Sequence, residues 1–173
     1  MSMKILATSD WHLGNLFHGN DRLPEHKHFL KWLLEQIAEQ KPDALLIAGD
    51  IFDNGNPSAA AQTVYYEFLA DATQLCPNMQ VIITAGNHDS ASFLNAPKAL
   101  LFALNVHVIG AATQPIDKEV LLLKNSQGQP AAIVCAVPYL RDRDVRISVD
   151  GESSSAVGSS RNPCQYCTGY YTN

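Results

Sequence analysis

No stretch of this sequence approaches the ~18–20 consecutive apolar residues that a membrane span requires, and the amino terminus runs straight into KILATSD without signal-peptide architecture. A cytoplasmic protein with no membrane partner is the expectation. Basic residues are scarce: 12 Lys and Arg stand against 17 Asp and Glu, a formal net charge of −5. Phosphate neutralisation by Lys and Arg supplies most non-specific affinity for nucleic acid, so a protein that grips nucleic acid by a globally basic surface is excluded. A nuclease is not, because bound divalent cations reverse the local sign at a phosphate-cleaving site and a partner protein can bring the basic surface. The signature of disorder is also missing, since hydrophobic residues make up 46% and charged residues 17% of the 173 positions. One domain with a real core is the default at this length. Cysteines number four. Cys76 and Cys135 sit in apolar sequence surroundings that suit reduced, buried thiols, and Cys164 and Cys167 form a lone CxxC, a weak zinc signal without a second pair.

What is present is an alternation of buried strands and amphipathic helices. Three short aliphatic runs read as strands: KILAT ending at Asp10, ALLIAGD ending at Asp50, and QVIITAGNHD ending near His88. Between the first two, residues 24–40 put Phe29, Leu30, Leu33, Leu34 and Ile37 on one helical face. A second helix is expected to start with Ser58 as cap and to carry Val64, Tyr65, Phe68, Leu69 and Ala72 inward. This succession implies a parallel sheet with right-handed crossovers. A third helix is expected from Phe93 to Leu104, followed by the strand VHVIG. Then EVLLLKN, the turn-like SQGQ and AAIVCAVPYL read as an antiparallel hairpin. After about Val149 the composition shifts to Ser, Gly, Asn and Tyr without aliphatic periodicity. The expected organisation is therefore a domain over residues 1–149 and an irregular tail over 150–173, either a disordered terminus or a departure of the reading frame from its parent.

In open α/β sheets ligands bind beyond the carboxyl ends of the strands. The three strands deliver polar groups there: Asp10-Trp11-His12, then Gly49-Asp50-Ile51-Phe52-Asp53, then Gly86-Asn87-His88-Asp89. Asp10 and His12 can both reach one ion, and mixed oxygen and nitrogen donors suit Mn, Fe or Zn better than Ca. A carboxylate such as Asp50 can bridge two cations ~3.5–4 Å apart. Asn87 offers a neutral carbonyl oxygen. His88, beside it, cannot easily bind the same metal and is free to act on the phosphate or the leaving oxygen, with Asp89 available to orient its ring. Taken singly, such an Asp is ordinarily a cap or turn residue and such a His a surface or core residue. Three clusters, each just after a buried strand, are not accounted for in that way.

TSDWHLG, AGDIFDNGNP and AGNHDS resemble the first three motifs of the calcineurin-like metallophosphoesterases, and DWHLG with the later PYLRDRD is similar to the SbcD-type nucleases of that superfamily. The likeness runs from about residue 3 to about 146. It implies a metallophosphoesterase-type layered α/β/β/α sandwich, incomplete at its C-terminal side. It implies that Asp10 and His12 bind a first metal, that Asp50 bridges, that Asn87 binds a second, and that His88, backed by Asp89, serves the leaving group. Asp53 would sit behind a ligand or on the substrate side. The cofactors would be two divalent ions, usually manganese, with in-line attack on phosphorus and no covalent enzyme intermediate. The family completes this site with three further histidines downstream, whereas the only histidine after His88 here is His107, in VHVIG. The expectation for this chain is weak metal binding and little cleavage.

Three functional classes follow. The first is a DNA nuclease subunit, with exonuclease activity on double-stranded ends and endonuclease activity on hairpins or single strands, working with an SMC-like ATPase of SbcC type in DNA repair, recombination and replication. The second is a small-molecule phosphoesterase of the same fold. The third is a non-catalytic remnant that dimerises through its helices, with Trp32 and Tyr66 in the interface. His18, His26 and His28 read as surface or capping residues, and Arg141, Arg143 and Arg146, alternating with Asp142 and Asp144, as a solvated salt-bridged turn. Trp11 is expected to pack against the sheet.

Overall fold

A computed structural model describes residues 3–141 together with Asp144. In chain order its elements are β1 (Ile5–Thr8), β2 (Leu16–Phe17), β3 (Asn20–Asp21), α1 (Leu23–Gln40), β4 (Ala44–Ala48), α2 (Ala59–Leu75), β5 (Gln80–Thr84), α3 (Ala91–Asn95), α4 (Lys98–Phe102), β6 (Val106–Ile109), a 3-10 turn at Ile116–Glu119, β7 (Val120–Lys124) and β8 (Pro130–Cys135). Strands β1, β4, β5 and β6 form a parallel sheet in that spatial order. Thr8 pairs with Ile47 and Ala48 with Thr84, so the strands end nearly flush and their loops leave from one rim. The antiparallel hairpin β7–β8 forms its own two-stranded sheet.

The sequence explains both faces. Leu30, Leu33 and Ile37 of α1 and Val64, Tyr65, Phe68, Leu69 and Ala72 of α2 are buried against Leu45, Ile47, Val81 and Ile83. On the opposite face Ala44, Ile82 and Ile109 meet Leu123 and Ala136 of the hairpin region. A parallel strand buried on both faces reads as a continuous aliphatic run rather than an alternation, which is what ALLIA and QVIIT show. Ser58 caps α2, its hydroxyl accepting from Ala61 N–H at 3.2 Å. Trp11 is buried against Phe29 and Phe68 in edge-on contacts, and its indole donates to Thr8 Oγ1 at 2.9 Å. Among the described residues the layers are helices, parallel sheet and hairpin, with Leu122 and Ile133 exposed on the hairpin's outer side. No helix there is long and apolar enough to cross a membrane.

Three expectations change. The single helix expected over 93–104 is two short ones, α3 and α4, because Pro97 has no N–H to donate back; hydrogen bonding restarts from its carbonyl, which accepts from Leu100 and Leu101. Cys135 is exposed rather than buried: in β8 residues 132 and 134 turn inward, so the period of two sends 133 and 135 outward. Cys76 is half-buried, with its thiol pushed up by burial and directed at the Ile37 carbonyl. The structure also adds the hairpin of β2 and β3, turned by His18 and Gly19 at positive φ, which carries no aliphatic run in the sequence. The tail at 150–173, the CxxC at Cys164 and Cys167, and Asp142, Arg143 and Arg146 lie outside the described residues.

The two faces should respond differently to truncation. Ile83→Ala should cost about 2–5 kcal/mol in urea unfolding, the range for emptying a packed core position, while Ile133→Ala should stay within about 0.5 kcal/mol. Equal losses at the two positions would show that the outer face of the hairpin is covered.

Candidate metal centre

The rim is held together by backbone pairing that continues past the strand ends. Asp10 N–H donates to the Gly49 carbonyl at 3.1 Å, His12 N–H to Asp50 at 2.9 Å, Leu13 N–H to Ile51 at 2.9 Å, and Asp53 N–H to Leu13 at 3.2 Å. The third loop is tied in by side chains. Asp50 Oδ1 accepts from His88 N–H at 3.0 Å. The buried Asp89 carboxylate accepts from Ile51, Phe52 and Gly86 N–H at 3.2, 3.0 and 2.9 Å. Asp10, His12 and Asp50 have φ of 56°, 47° and 49°. Non-glycine residues in that region carry strain, which persists only where the surroundings fix it and which concentrates at functional sites. Gly49, at φ +77°, turns the chain before Asp50, and a Cβ on Gly86 would overlap the Asp50 carboxylate.

Ligand atoms of Asp10, His12 and Asp50 lie within 4.8 Å of one another, and so do those of His12, Asp53 and His88. His12 belongs to both groups: Nε2 is 4.0 Å from Asp50 Oδ2 and Nδ1 is 3.6 Å from Asp53 Oδ1. A neutral imidazole offers one ring nitrogen to a metal while the other carries a proton. Binding through Nε2 beside Asp10 and Asp50 therefore leaves Nδ1–H facing Asp53, whose Oδ1 is itself fixed by Asn15 Nδ2 at 2.7 Å. Two carboxylates and an imidazole fit a borderline divalent ion. Asn87 lies exposed in the third loop between Gly86 and His88, whose N–H groups are held by Asp89 and Asp50.

His88 is exposed, edge-on to His12 at 4.9 Å between ring centroids, and its Nδ1 lies 2.8 Å from the Asp53 carbonyl. That carbonyl is the main reason its pKa lies above the ordinary imidazole value, with Asp50, Asp53 and Asp89 adding to it. The orienting partner of the ring is thus the Asp53 backbone. Asp89, expected in that role, has its oxygens turned to the three N–H groups beneath.

A cavity of about 420 Å³ opens beside the cluster, lined by His12, Asp53 and His88 on one side and Asn15, Arg22 and His26 on the other. Sequence reasoning misses the last three as site residues, with His26 reading only as a surface or capping residue at the helix start. The signal that could find them is the HGN turn: it makes β2–β3 a tight hairpin, which returns Arg22 to Asn15, with Arg22 N–H donating to the Asn15 carbonyl at 3.2 Å. His26 is held below the ordinary imidazole value, first by burial and then by Arg22. His107 lies away from this rim, half-buried on β6 and edge-on to Phe102. Arg141 N–H donates to Asp144 Oδ2 at 2.9 Å.

Residues 3–136 match the calcineurin-like phosphoesterase family. The chain belongs to that family. Among curated relatives it is 42% identical over 163 residues to the SbcD protein of the SbcCD nuclease of Rhodobacter capsulatus, covering 90% of this chain and 40% of that protein. It is 39% identical over 149 residues to the Escherichia coli protein of the same name, covering 86% and 36%. The Bacillus subtilis counterpart is 38% identical over 119 residues, covering 68% and 30%. The chain thus spans two fifths or less of the length of these relatives. Membership of the calcineurin-like phosphoesterases agrees with the α/β sheet and with the acidic and histidine groups gathered at its rim.

Two outcomes test this geometry. Asp89→Ala strands three N–H groups at about 1–3 kcal/mol for each one left buried, so urea unfolding should lose about 3 kcal/mol or more, and a loss under about 1 kcal/mol would deny the carboxylate its tying role. In proton NMR of the metal-free chain, His88 should titrate above 6.5 and His26 and His107 below it. His88 is then the imidazole that stays protonated furthest as pH rises, and a reversed order would contradict the contacts described.

Proposed function

We propose that this chain carries the first part of the catalytic centre of a metal-dependent DNA nuclease of SbcD type. The observation that supports it most is the convergence of Asp10, His12 and Asp50 donor atoms within 4.8 Å at a strained loop rim, with His88 beside them. Relatives named as the SbcD component of the SbcCD nuclease support the nuclease reading over other phosphoesterases. Asp10 and His12 hold one divalent ion, Asp50 lies between the two positions, and Asn87 contributes to the second. Manganese suits this donor set. Such ions supply positive charge to phosphoryl oxygens and make water a better nucleophile.

The chain's own groups do the rest. Asp53 fixes the tautomer of His12 through Nδ1. His88, held at Nδ1 by the Asp53 carbonyl and kept protonated by it, presents its other nitrogen and gives its proton to the departing sugar oxygen. Exonuclease and endonuclease action on DNA, with an SMC-like ATPase of SbcC type as partner, is the reading that the relatives' names favour. In this 173-residue chain Asp50 and Asn87 are the only ligands assigned to the second ion, so the polypeptide by itself should bind metal weakly and cleave little DNA. Self-association is a second reading supported by one observation: Trp32, on α1, is 52% exposed.

Manganese calorimetry on the purified chain and on Asp50→Ala tests the assignment. One weak site, lost in the variant, is expected, together with little cleavage of DNA, small phosphomonoesters or cyclic nucleotides. Unchanged binding in Asp50→Ala would overturn the assignment, and two tight sites with robust DNA cleavage would overturn the expectation of low activity.

A further inference from the structure

The cavity beside the metal donors has two unlike walls. His12, Asp53 and His88 form the wall shared with the centre, and Asn15, Arg22 and His26 form the other. The donor atoms of the first wall lie close enough to hold a cation, but the second wall opposes one. Arg22 is the only lining residue with a fixed positive charge. Asp53 Oδ1 is already taken by Asn15 at 2.7 Å. Arg22 Nε and His26 Nδ1 are buried without a hydrogen-bond partner, and such polar atoms call for an acceptor that an oxygen-rich ligand supplies. Glu25 Oε1 approaches Arg22 Nε at 3.2 Å without hydrogen-bond alignment, and the guanidinium lies 5.6 Å from the Phe17 ring centre. Both partners of the Arg22–Glu25 pair are more than a third exposed, so the pair is weak and the charge is available.

We infer that Arg22 and His26 form a second anion position, for a phosphate of a nucleic-acid strand neighbouring the one presented to Asp10, His12 and Asp50. This rests on the phosphodiesterase reading and deepens it: two anion positions side by side suit a ligand with phosphates in series and make a single phosphoester the poorer ligand. Arg22 and His26 are then positioning residues, selecting polynucleotide over small phosphoesters without touching the reacting bond. A cavity of about 420 Å³ admits a phosphate with part of its sugar.

The experiment is fluorescence anisotropy of a labelled single-stranded oligothymidylate on the full 173-residue chain with manganese over a salt series, beside competition by thymidine 5′-monophosphate and by pyrophosphate. Arg22→Gln should weaken oligonucleotide binding about tenfold and lower the slope of log affinity against log salt by about 0.7, the increment for one phosphate contact on a single strand, while leaving thymidine monophosphate unchanged. Glu25→Gln, which frees the guanidinium, should tighten oligonucleotide binding, an effect of opposite sign that a folding defect cannot produce. His26→Gln should weaken binding several-fold with the slope kept. An Arg22→Gln that weakens monophosphate and oligonucleotide equally, or that leaves the slope unchanged, overturns the inference, as does pyrophosphate competing more strongly than the oligonucleotide. If the wild-type chain binds the strand in a manganese-dependent way and Arg22→Gln changes nothing, only the second position fails. If it binds no strand at all, the phosphodiesterase reading fails with it.

Discussion

Parallel strands that end flush leave loops whose backbone N–H groups have no strand left to pair with, and a buried N–H without a partner is costly. Asp89 answers that constraint. Its carboxylate, 4% exposed, takes N–H groups from Ile51, Phe52 and Gly86, and so fixes the second loop to the third. The first loop is zipped to the second by donations from Asp10, His12 and Leu13. With the loops locked, Asp10, His12 and Asp50 can be held at positive φ, a conformation that would relax in a free segment. The placement of the metal donors is therefore a consequence of satisfying backbone groups below them.

The same constraint shapes the surroundings of His12. A single imidazole looks toward Asp50 with one nitrogen and toward Asp53 with the other, and Asp53 is steadied by Asn15 while its carbonyl steadies His88. Residues that look unrelated in sequence thus share one hydrogen-bonded unit. The short β2–β3 hairpin then folds the start of α1 back over that unit, which puts a fixed positive charge next to a cluster of carboxylates in a chain with a net charge of −5. Local sign reversal of this kind lets an acidic protein face a phosphate without a basic surface.

Much of the fold was legible because its strands are buried on both faces and its first two helices carry an unbroken apolar stripe; β1, β4, β5, β6, α1 and α2 fall where aliphatic runs and three-and-four spacing put them. Legibility failed where a single residue decides. Pro97 divides one apolar stripe into two short helices, and the two-residue period of β8 turns Cys135 outward although its neighbours are apolar. In the site, Asp10, His12, Asp50, Asn87 and His88 could be named because each follows a strand end. Arg22, His26 and Asn15 could not, since nothing in a linear pattern says how a hairpin of six residues aims the helix that follows.

The sequence by itself determined the order of the elements, the rim on which chemistry gathers, and the residue types fit for a divalent ion, because hydrophobic period and motif position are local properties of the chain. Tertiary structure alone decided which partner each polar group takes. Asp89 turns to backbone N–H groups instead of its neighbour His88, the Asp53 carbonyl holds that histidine, and Arg22 closes the cavity. The reason is physical: adjacent residues leave a turn in different directions, and which groups then meet depends on loops brought together from dozens of residues apart.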